Sequence, residues 1–518
     1  MGLLRSAATI SGLTLFSRIT GLLRDILIAG TFGAGPLTDA FWVAFRIPNL
    51  LRRLFGEGAF SQAFVPILGQ VRTEHDHEAV RRLLDHVAQV LTLVLILVTA
   101  IGILAAPWVV TAMASGMRTA AREGDFIAAV WMTRAMFPYI VCMSLVALAS
   151  GVLNTWSRFA VPAFTPVLLN LSMIGACILL APRLDTPIYA LAAGVMIGGI
   201  LQLLIQWMAL RQLGLLPRYT TRVRHAWNDP IVRRIMRQML PAILGVSVAQ
   251  LSLLINTNIA TWLTPGSVTW LSFADRLMEF PTALLGVALG TVLLPSLSAA
   301  HADQDHDRYS ALLDWGLRLV LTLGLPAALG MAMLSDGLVA TLFNYGAFNA
   351  HDVSQTRLAV MAYSVGLLGL LAIKILAPGF YAKQDIRTPV RIAIFVLVLT
   401  QAFNLIFVPL YAHAGLALSI GLGASVNALT LVVLLRRKNL YKPGPGWWMF
   451  TARLVPALAV LGAVLYAVNQ QLDWVTLGAH PALRAAYLAL TLLACMLAYF
   501  SALFLLGFRP SDFTRRRA

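Results

Sequence analysis

Apolar residues in this chain come in long runs and do not alternate with polar ones. Stretches without Asp, Glu, Lys or Arg cover residues 86 to 117, 135 to 157, 159 to 182, 186 to 210, 238 to 274, 280 to 302, 392 to 435 and 485 to 508. A helix crosses a bilayer with about 20 mainly apolar residues, so each run is long enough to span. Two runs are too long for a single crossing. The first breaks at Thr264-Pro265-Gly266-Ser267 and the second between Pro409 and Gly415, where Gly and Pro punctuate the chain. With the less uniform segments at 8 to 33, 37 to 66, 309 to 345, 355 to 380 and 449 to 470, the pattern predicts about 14 transmembrane helices. The expected fold class is an all-α polytopic membrane protein with two six-helix lobes plus two C-terminal helices. Its expected organisation is an N-terminal lobe at 1–211, a basic cytoplasmic linker at 212–234, a C-terminal lobe at 235–437 and a final pair with a basic tail at 438–518.

Composition agrees with the pattern. Apolar residues make up 59% of the 518 and charged residues only 12%, against about 25% charged in soluble domains. The net charge of +17 then needs a location. With the N-terminus placed in the cytoplasm, 24 of the 39 basic residues fall in cytoplasmic segments, including Arg72, Arg81, Arg82, the Arg-rich 211–237 interval and Arg515 to Arg517. The opposite loops hold Arg118, Arg122 and Arg183. That asymmetry is what the positive-inside rule asks of a correct topology with both termini cytoplasmic. Nucleic-acid binding is not needed to explain it, because the basic residues are scattered over short loops and form no single face.

Cys142, Cys177 and Cys495 fall inside spans without paired spacing and read as small buried apolar groups. The run His301-Ala302-Asp303-Gln304-Asp305-His306-Asp307 is the one local cluster with metal-ligand types, and it reads as a solvated hinge, so no metal site is expected. The first apolar run is interrupted by Arg18, Arg24 and Asp25 and stays as the first helix instead of a cleaved signal.

The halves resemble one another at an offset of 229 to 230. Gly33-Ala34-Gly35-Pro36 corresponds to Thr264-Pro265-Gly266, Arg46 to Arg276, Gly56 to Gly286 and Pro66 to Pro295. Such repeats build many transporters, with a substrate site between them and access alternating as one lobe rocks against the other.

Charges inside the spans narrow the chemistry. Arg18 and Asp25 are seven residues apart and differ by about 20° around the first helix, while Arg24 is about 100° from Asp25. Asp39, Arg46 and Arg53 form a heptad stripe on the second helix with Arg52 beside it, and Glu57 ends it. Facing lipid, each charge near the centre would cost about 2.5 to 3.5 kcal/mol on the insertion scale, so the stripe must face protein or water. The eighth helix opens with Asp275, Arg276 and Glu279, where Arg276 and Glu279 are surface neighbours. Structural ion pairs would account for the acids. The arginines Arg18, Arg24, Arg46, Arg52, Arg53 and Arg276 outnumber Asp25, Asp39, Glu57, Asp275 and Glu279, and a buried surplus cation is costly without a ligand or water. A cationic, water-filled central cavity therefore predicts an anionic substrate. The rigid guanidinium fork suits phosphate or pyrophosphate oxygens, although a sugar or a carboxylate would also satisfy the surplus, so the electrostatics alone do not choose.

The final pair carries no formal charge over 454–472 and 485–508. It fits either ordinary lipid-facing helices or a groove for a long hydrocarbon chain. No enzyme emerges: Gly33 and Gly35 lack the strand and lysine of a phosphate-binding loop. No cofactor is implied, and without a soluble ATPase part the energy source is the membrane potential or an ion gradient. Asp229 and Asp385 are candidate cation ligands, with surface capping as the alternative reading.

The run Gly21-Leu-Leu-Arg-Asp25 followed by Asp39-Ala-Phe-Trp-Val-Ala-Phe-Arg46 through Arg52-Arg53, Glu57 and Pro66 closely resembles the bacterial MurJ/MviN family of lipid II flippases. Ala274-Asp275-Arg276-Leu277 and Phe380-Tyr-Ala-Lys-Gln-Asp385-Ile-Arg-Thr-Pro389 extend the resemblance over essentially the whole chain. It implies the MATE-like MOP exporter superfamily and transport of undecaprenyl-pyrophosphate-linked peptidoglycan precursor from the inner to the outer leaflet of the cytoplasmic membrane. It also implies that Arg18, Arg24, Arg52 and Arg276 are cavity arginines, that Asp39 is a cavity acid, and that the last two spans form the polyprenyl groove. Lipid II and membrane lipids are the expected partners, with other cell-wall synthesis proteins as candidates, and the expected working unit is a monomer. A flippase for another polyprenyl-linked glycan shares this physics. A cation-coupled drug exporter of the same fold does not, because its often cationic substrates would meet like charge.

Overall fold

The computed structural model describes residues 2–52, 59–74, 76–220 and 223–509. Arg53 and Glu57 lie outside the described residues. Long helices make up the chain, and nine of the described ones are long and apolar enough to cross a membrane. The two expected breaks are present. One helix ends at Thr261 and the next begins at Ser267, with Gly266 at φ 99 in the turn. The helical run Arg387–Arg437 is interrupted at Ala412, whose φ of 48 and ψ of −127 are not helical. The chain divides into two compact units, Met1–Thr269 and Trp270–Ala518.

The first unit contains α1 (Gly2–Phe32), α2 (Pro36–Arg52), α3 (Ala59–Glu74), α4 (His77–Met113), α5 (Glu123–Met136), α6 (Tyr139–Thr155), α7 (Ala160–Gly175) and α8 (Tyr189–Gln212). The short α9 (Val223–Trp227) and the long α10 (Pro230–Thr261) complete it. α10 packs against α3 and α4, within this unit. The fourth predicted span, 135 to 157, is preceded by helix: α5 begins at Glu123. Its first-turn acids Glu123 and Asp125 favour a helix N-terminus, and Arg134 sits in its last turn, so charges that look like a loop are end charges of a helix.

The core of this unit lies between α3, α4 and α6, where Phe60, Phe64, Leu68, Leu83, Val87, Ile140 and Val152 are buried together. Phe60 and Phe64 stack with ring centroids 5.0 Å apart. Among lipid-embedded helices close backbone approach replaces hydrophobic driving force. Gly194 and Gly198 supply it on α8: a Cβ at Gly194 would come within 2.8 Å of Ala176, and one at Gly198 within 2.9 Å of the Leu169 backbone.

The second unit begins at Trp270, inside α11 (Ser267–Ala302), and so holds all of that helix but its first three residues. It also comprises α12 (His306–Met333), α13 (Ser335–Phe343), α14 (Ala350–Tyr381), α15 (Arg387–Arg437), α16 (Trp447–Gln471) and α17 (Pro481–Leu505). α14 packs along α15 and α12. Gly366 and Gly421 let α14 and α15 touch, since a Cβ on Gly366 would lie 2.0 Å from the Gly421 Cα. α16 packs on α12, and α17 packs on α16 and α13. One stripe of α17 is buried, through Arg484, Leu488, Thr491, Cys495, Tyr499 and Leu503. Its Tyr499 hydroxyl donates to Thr322 O at 2.7 Å. Ala489 and Ala494 lie on the exposed remainder.

Candidate functional site

The charged residues of the first unit divide into those already held and those left open. Arg24 and Asp25 are both buried, and the Arg24 guanidinium wraps back onto its neighbour, with Nε and Nη2 donating to Asp25 Oδ1 at 2.9 and 2.6 Å. Nη1 donates to Asn170 Oδ1 at 3.0 Å. Asn170, on α7, in turn donates to Ser17 O at 3.0 Å and to Thr20 Oγ1 at 3.1 Å. Arg18 shares a helix face with Asp25 by angle, yet it is exposed. The helix angle locates a Cα, while the reach of a long arginine decides its partner.

Two described residues of the second-helix stripe, Asp39 and Arg46, contact protein. Arg46 donates to the Thr257 hydroxyl on α10. Asp39 is 1% exposed and accepts three hydrogen bonds from the start of α11: Gly266 N at 2.7 Å, Thr269 N at 2.9 Å and Thr269 Oγ1 at 2.7 Å. This carboxylate therefore occupies the positive end of a helix, where otherwise unpaired N–H groups need an acceptor. Arg52 ends α2, and nothing of its side chain is described.

Sequence reasoning missed the partner that completes this junction. Arg122 counts in the sequence only as a loop charge, but its Nη2 lies 3.7 Å from Asp39 Oδ2, its Nε donates to Asp125 at 2.9 Å and its Nη1 donates to Thr261 O at 2.9 Å. The same loop fixes the end of α10. Ser115 Oγ donates to Asn258 Oδ1 at 2.9 Å, Gly116 N donates to Thr261 Oγ1 at 3.2 Å, and Trp262 Nε1 donates to Ser115 Oγ at 2.9 Å. A Cβ on Gly116 would lie 2.4 Å from Thr261 O. A tight backbone approach leaves no periodic signal in a sequence.

In the second unit Arg276 Nη1 donates to Glu279 Oε2 at 3.2 Å, and both side chains are part-exposed. Asp275, beside them, is half-buried. The two candidate cation ligands are engaged elsewhere. Asp229 caps α10, accepting from Ile231 N at 2.8 Å, and its other oxygen meets His86 Nδ1 at 2.7 Å. Asp385 accepts from Thr388 N at 3.0 Å, Thr388 Oγ1 at 2.7 Å and Lys438 Nζ at 2.8 Å. The Lys438 and Thr388 bonds hold its carboxyl down at about 2. Asp305, in the candidate metal run, caps α12 through Arg308 N at 2.9 Å.

A further node ties the last helices in place. Asp314 Oδ2 accepts from Arg318 Nε at 2.8 Å, while Oδ1 accepts from Tyr441 OH at 2.9 Å, Gly444 N at 3.1 Å and Trp447 Nε1 at 2.7 Å. The Arg318 guanidinium lies over the Trp447 ring at 5.1 Å. At the opposite end of this pair Arg484 is fully buried, donating to Asn344 Oδ1 and Asn344 O at 3.0 Å each.

Comparison with known proteins bears on this arrangement. Residues 28–483 match the family model described as lipid II flippase MurJ. The lipid II flippase MurJ of Burkholderia cenocepacia is 52% identical over 516 residues, covering 100% of both chains. The probable lipid II flippase MurJ of Vibrio cholerae is 39% identical over 516 residues, covering 98% of this chain and 97% of that one. A solved structure of a lipid II flippase MurJ in an inward closed conformation shares the fold with a TM-score of 0.76 at 23% identity, covering 96% of this chain and 99% of that one. An inward-facing multidrug MATE transporter of the MOP superfamily aligns with a TM-score of 0.69 at 15% identity, covering 84% of this chain and 98% of that one.

Proposed function

The chain belongs to the lipid II flippase MurJ family, and we propose on that premise how its own residues carry the substrate. It is a multi-pass transporter of the bacterial cytoplasmic membrane and not an enzyme, and it moves the peptidoglycan precursor lipid II across that membrane. In the proposed layout the chain crosses 14 times, as two six-helix lobes and a final pair, with both termini cytoplasmic and a monomer as the working unit.

The headgroup enters as a pyrophosphate-linked glycan, and each unit supplies cations to its path. Arg18 is the open cation of the first unit, Arg24 the one pre-oriented by Asp25 and Asn170, and Arg276 the cation of the second, with Arg52 assigned by its place in the family motif. The observation that carries this reading is the network around Arg24. Two acceptors orient its guanidinium, and a fork held this way can exchange one acceptor for a phosphate oxygen without losing its geometry. Asp275 and Glu279 keep Arg276 oriented when no anion is present.

Asp39 and Arg122 hold the external end of the first unit shut, since together they grip the α10–α11 turn. Opening to the outside breaks these bonds, and closing to the inside remakes them, which supplies one half of an alternating-access cycle. The polyprenyl tail runs along α16 and α17, whose charge-free stretches 454–472 and 485–508 and exposed small residues leave room for a chain. The membrane potential or an ion gradient drives the cycle.

The test is complementation in a strain depleted of its own flippase. The native chain restores growth, Arg18→Ala and Arg276→Ala insert at native levels but do not, and growth restored by both would refute the arginine assignment. A flippase for another polyprenyl-linked glycan would fail to restore growth at all.

A further inference from the structure

Between α8 and α10 the chain leaves the apolar helices, and its linker is pinned to α4. Asp85 Oδ1 accepts from Arg218 N at 2.7 Å. Gln89 donates to Thr220 O, and its own side-chain oxygen accepts from the Thr220 hydroxyl at 3.3 Å. Thr92 and Tyr219 share a hydroxyl hydrogen bond at 3.1 Å, and His86 meets Asp229 at 2.7 Å. Residues 85, 86, 89 and 92 fall on one side of α4 at helical spacing. Asp85 is also the last charged residue before the charge-free run that starts at 86. The strap therefore crosses α4 where its sequence turns from polar to apolar, which is the level of a membrane interface.

This pinning decides what the linker presents. It engages two acids beside the linker, since Asp85 caps a linker amide and Asp229 holds His86 and the start of α10. Arg218, Arg224 and Arg237 are exposed, and among the described residues their guanidinium groups meet no carboxylate. Arg234 is also exposed, and its Nη1 lies 3.5 Å from Gln70 Oε1. Tyr219 and Trp227 stand beside them, 48% and 49% exposed.

We propose that the strapped linker is a docking surface for the anionic phospholipid headgroups of the cytoplasmic leaflet. The proposal rests on the topology given above. Exposed arginines present forks for phosphate oxygens, and the two rings are suited to the headgroup level beside them. Basic residues next to a span gain from an anionic leaflet. Because the backbone is already pinned, little order remains to be lost when a headgroup binds. The chemistry selects a phosphodiester with a negative net charge over a zwitterion, whose own cation would meet the arginines.

The experiment titrates the purified, delipidated full-length chain with short-chain phosphatidylglycerol, short-chain phosphatidylcholine and inorganic phosphate, with bound molecules counted by native mass spectrometry. Saturable binding of phosphatidylglycerol with none of phosphatidylcholine is expected. The triple variant Arg218→Gln, Arg224→Gln and Arg237→Gln should weaken that affinity severalfold, and Arg183→Gln, on an opposite loop, should leave it unchanged. Unaltered affinity in the triple variant, or inorganic phosphate binding as tightly as the lipid, would overturn the proposal. Lipid II flipping by the triple variant in phosphatidylcholine vesicles should equal that of the native chain, which keeps this test apart from the flippase assignment. A triple variant that fails in cells while keeping native phosphatidylglycerol affinity would mean the surface serves a protein partner instead, and would equally overturn it.

Discussion

Asp39 and Thr269 are 230 residues apart in sequence and joined by two hydrogen bonds, the carboxylate accepting both the Thr269 amide and its hydroxyl. The same separation is the offset at which the two halves of the sequence match. Both residues lie in the first turn of their helices, α2 and α11, just after turns whose Gly33 and Gly266 have positive φ. Equivalent positions of the repeat therefore meet directly, and one has become the acceptor for the other.

Asp39→Ala should be costly. It leaves the Gly266 and Thr269 amides and the Thr269 hydroxyl without their buried acceptor, at about 1–3 kcal/mol for each orphaned group. A clear drop in the melting temperature of the detergent-purified protein is expected, with Thr269→Val losing only about 1 kcal/mol because one bond goes and two stay. An Asp39→Ala protein as stable as the native chain would show that the junction carries no load.

Gly116→Ala tests the same junction from the loop side. The added Cβ would press on the Thr261 carbonyl, and backbone on backbone cannot yield as a side-chain tip can. The variant should label more readily from outside at a cysteine placed at Asn258 than the native background does. Equal labelling would mean the loop is not part of the closure.

These junction residues show where sequence reading stops. The helices, both internal breaks and the all-α class were legible because each is written in local composition: Thr264 to Ser267 and Pro409 to Gly415 are punctuation. That the Asp39–Arg46 stripe must face protein or water, and not lipid, was legible from cost alone. Which protein it faces was not, because Gly266, Thr269 and Thr257 are more than 200 residues away. Arg122 was visible only as a charge on the sparse side of the topology. Asn170 and the Asp314 node had no signal at all, since a polar residue that joins two helices leaves no period in either.

Arg484 should prove the anchor of the last helix at its first turn. Among the described residues no carboxylate pairs with it, and its fork is held by Asn344 O, Asn344 Oδ1 and, at 3.5 Å, Trp474 O, over the Tyr345 ring at 5.0 Å. Arg484→Lys should therefore not rescue what Arg484→Ala loses, because an ammonium cannot make the two-pronged contact. Thermal unfolding of the two variants is the check, and native stability in the lysine variant would contradict it.

Acid should weaken the α14–α15 corner through Asp385. Its pKa, about 2 in the folded chain against an ordinary 3.8, is depressed by the Lys438 and Thr388 bonds. A depressed carboxyl contributes stability that is present above its unfolded value and is lost as pH falls through the folded one. The native chain should thus lose stability between about pH 4 and pH 2 relative to Asp385→Asn, which lacks the charge throughout. Parallel pH profiles of melting temperature for the two proteins would rule this out.

The central claim is that this chain moves lipid II by gripping its pyrophosphate with arginine. Arg24 is a poor probe, because removing it takes the ion-pair partner from buried Asp25 and confuses folding with transport. Arg18 is exposed and Arg276 part-exposed, so their loss should spare the fold. The deciding measurement is the rate of lipid II flipping in vesicles by the purified native chain, Arg18→Ala and Arg276→Ala, each verified as folded by its melting temperature. Transport by the native chain and its loss in both folded variants is the predicted result, and native-rate flipping by both variants would contradict the account.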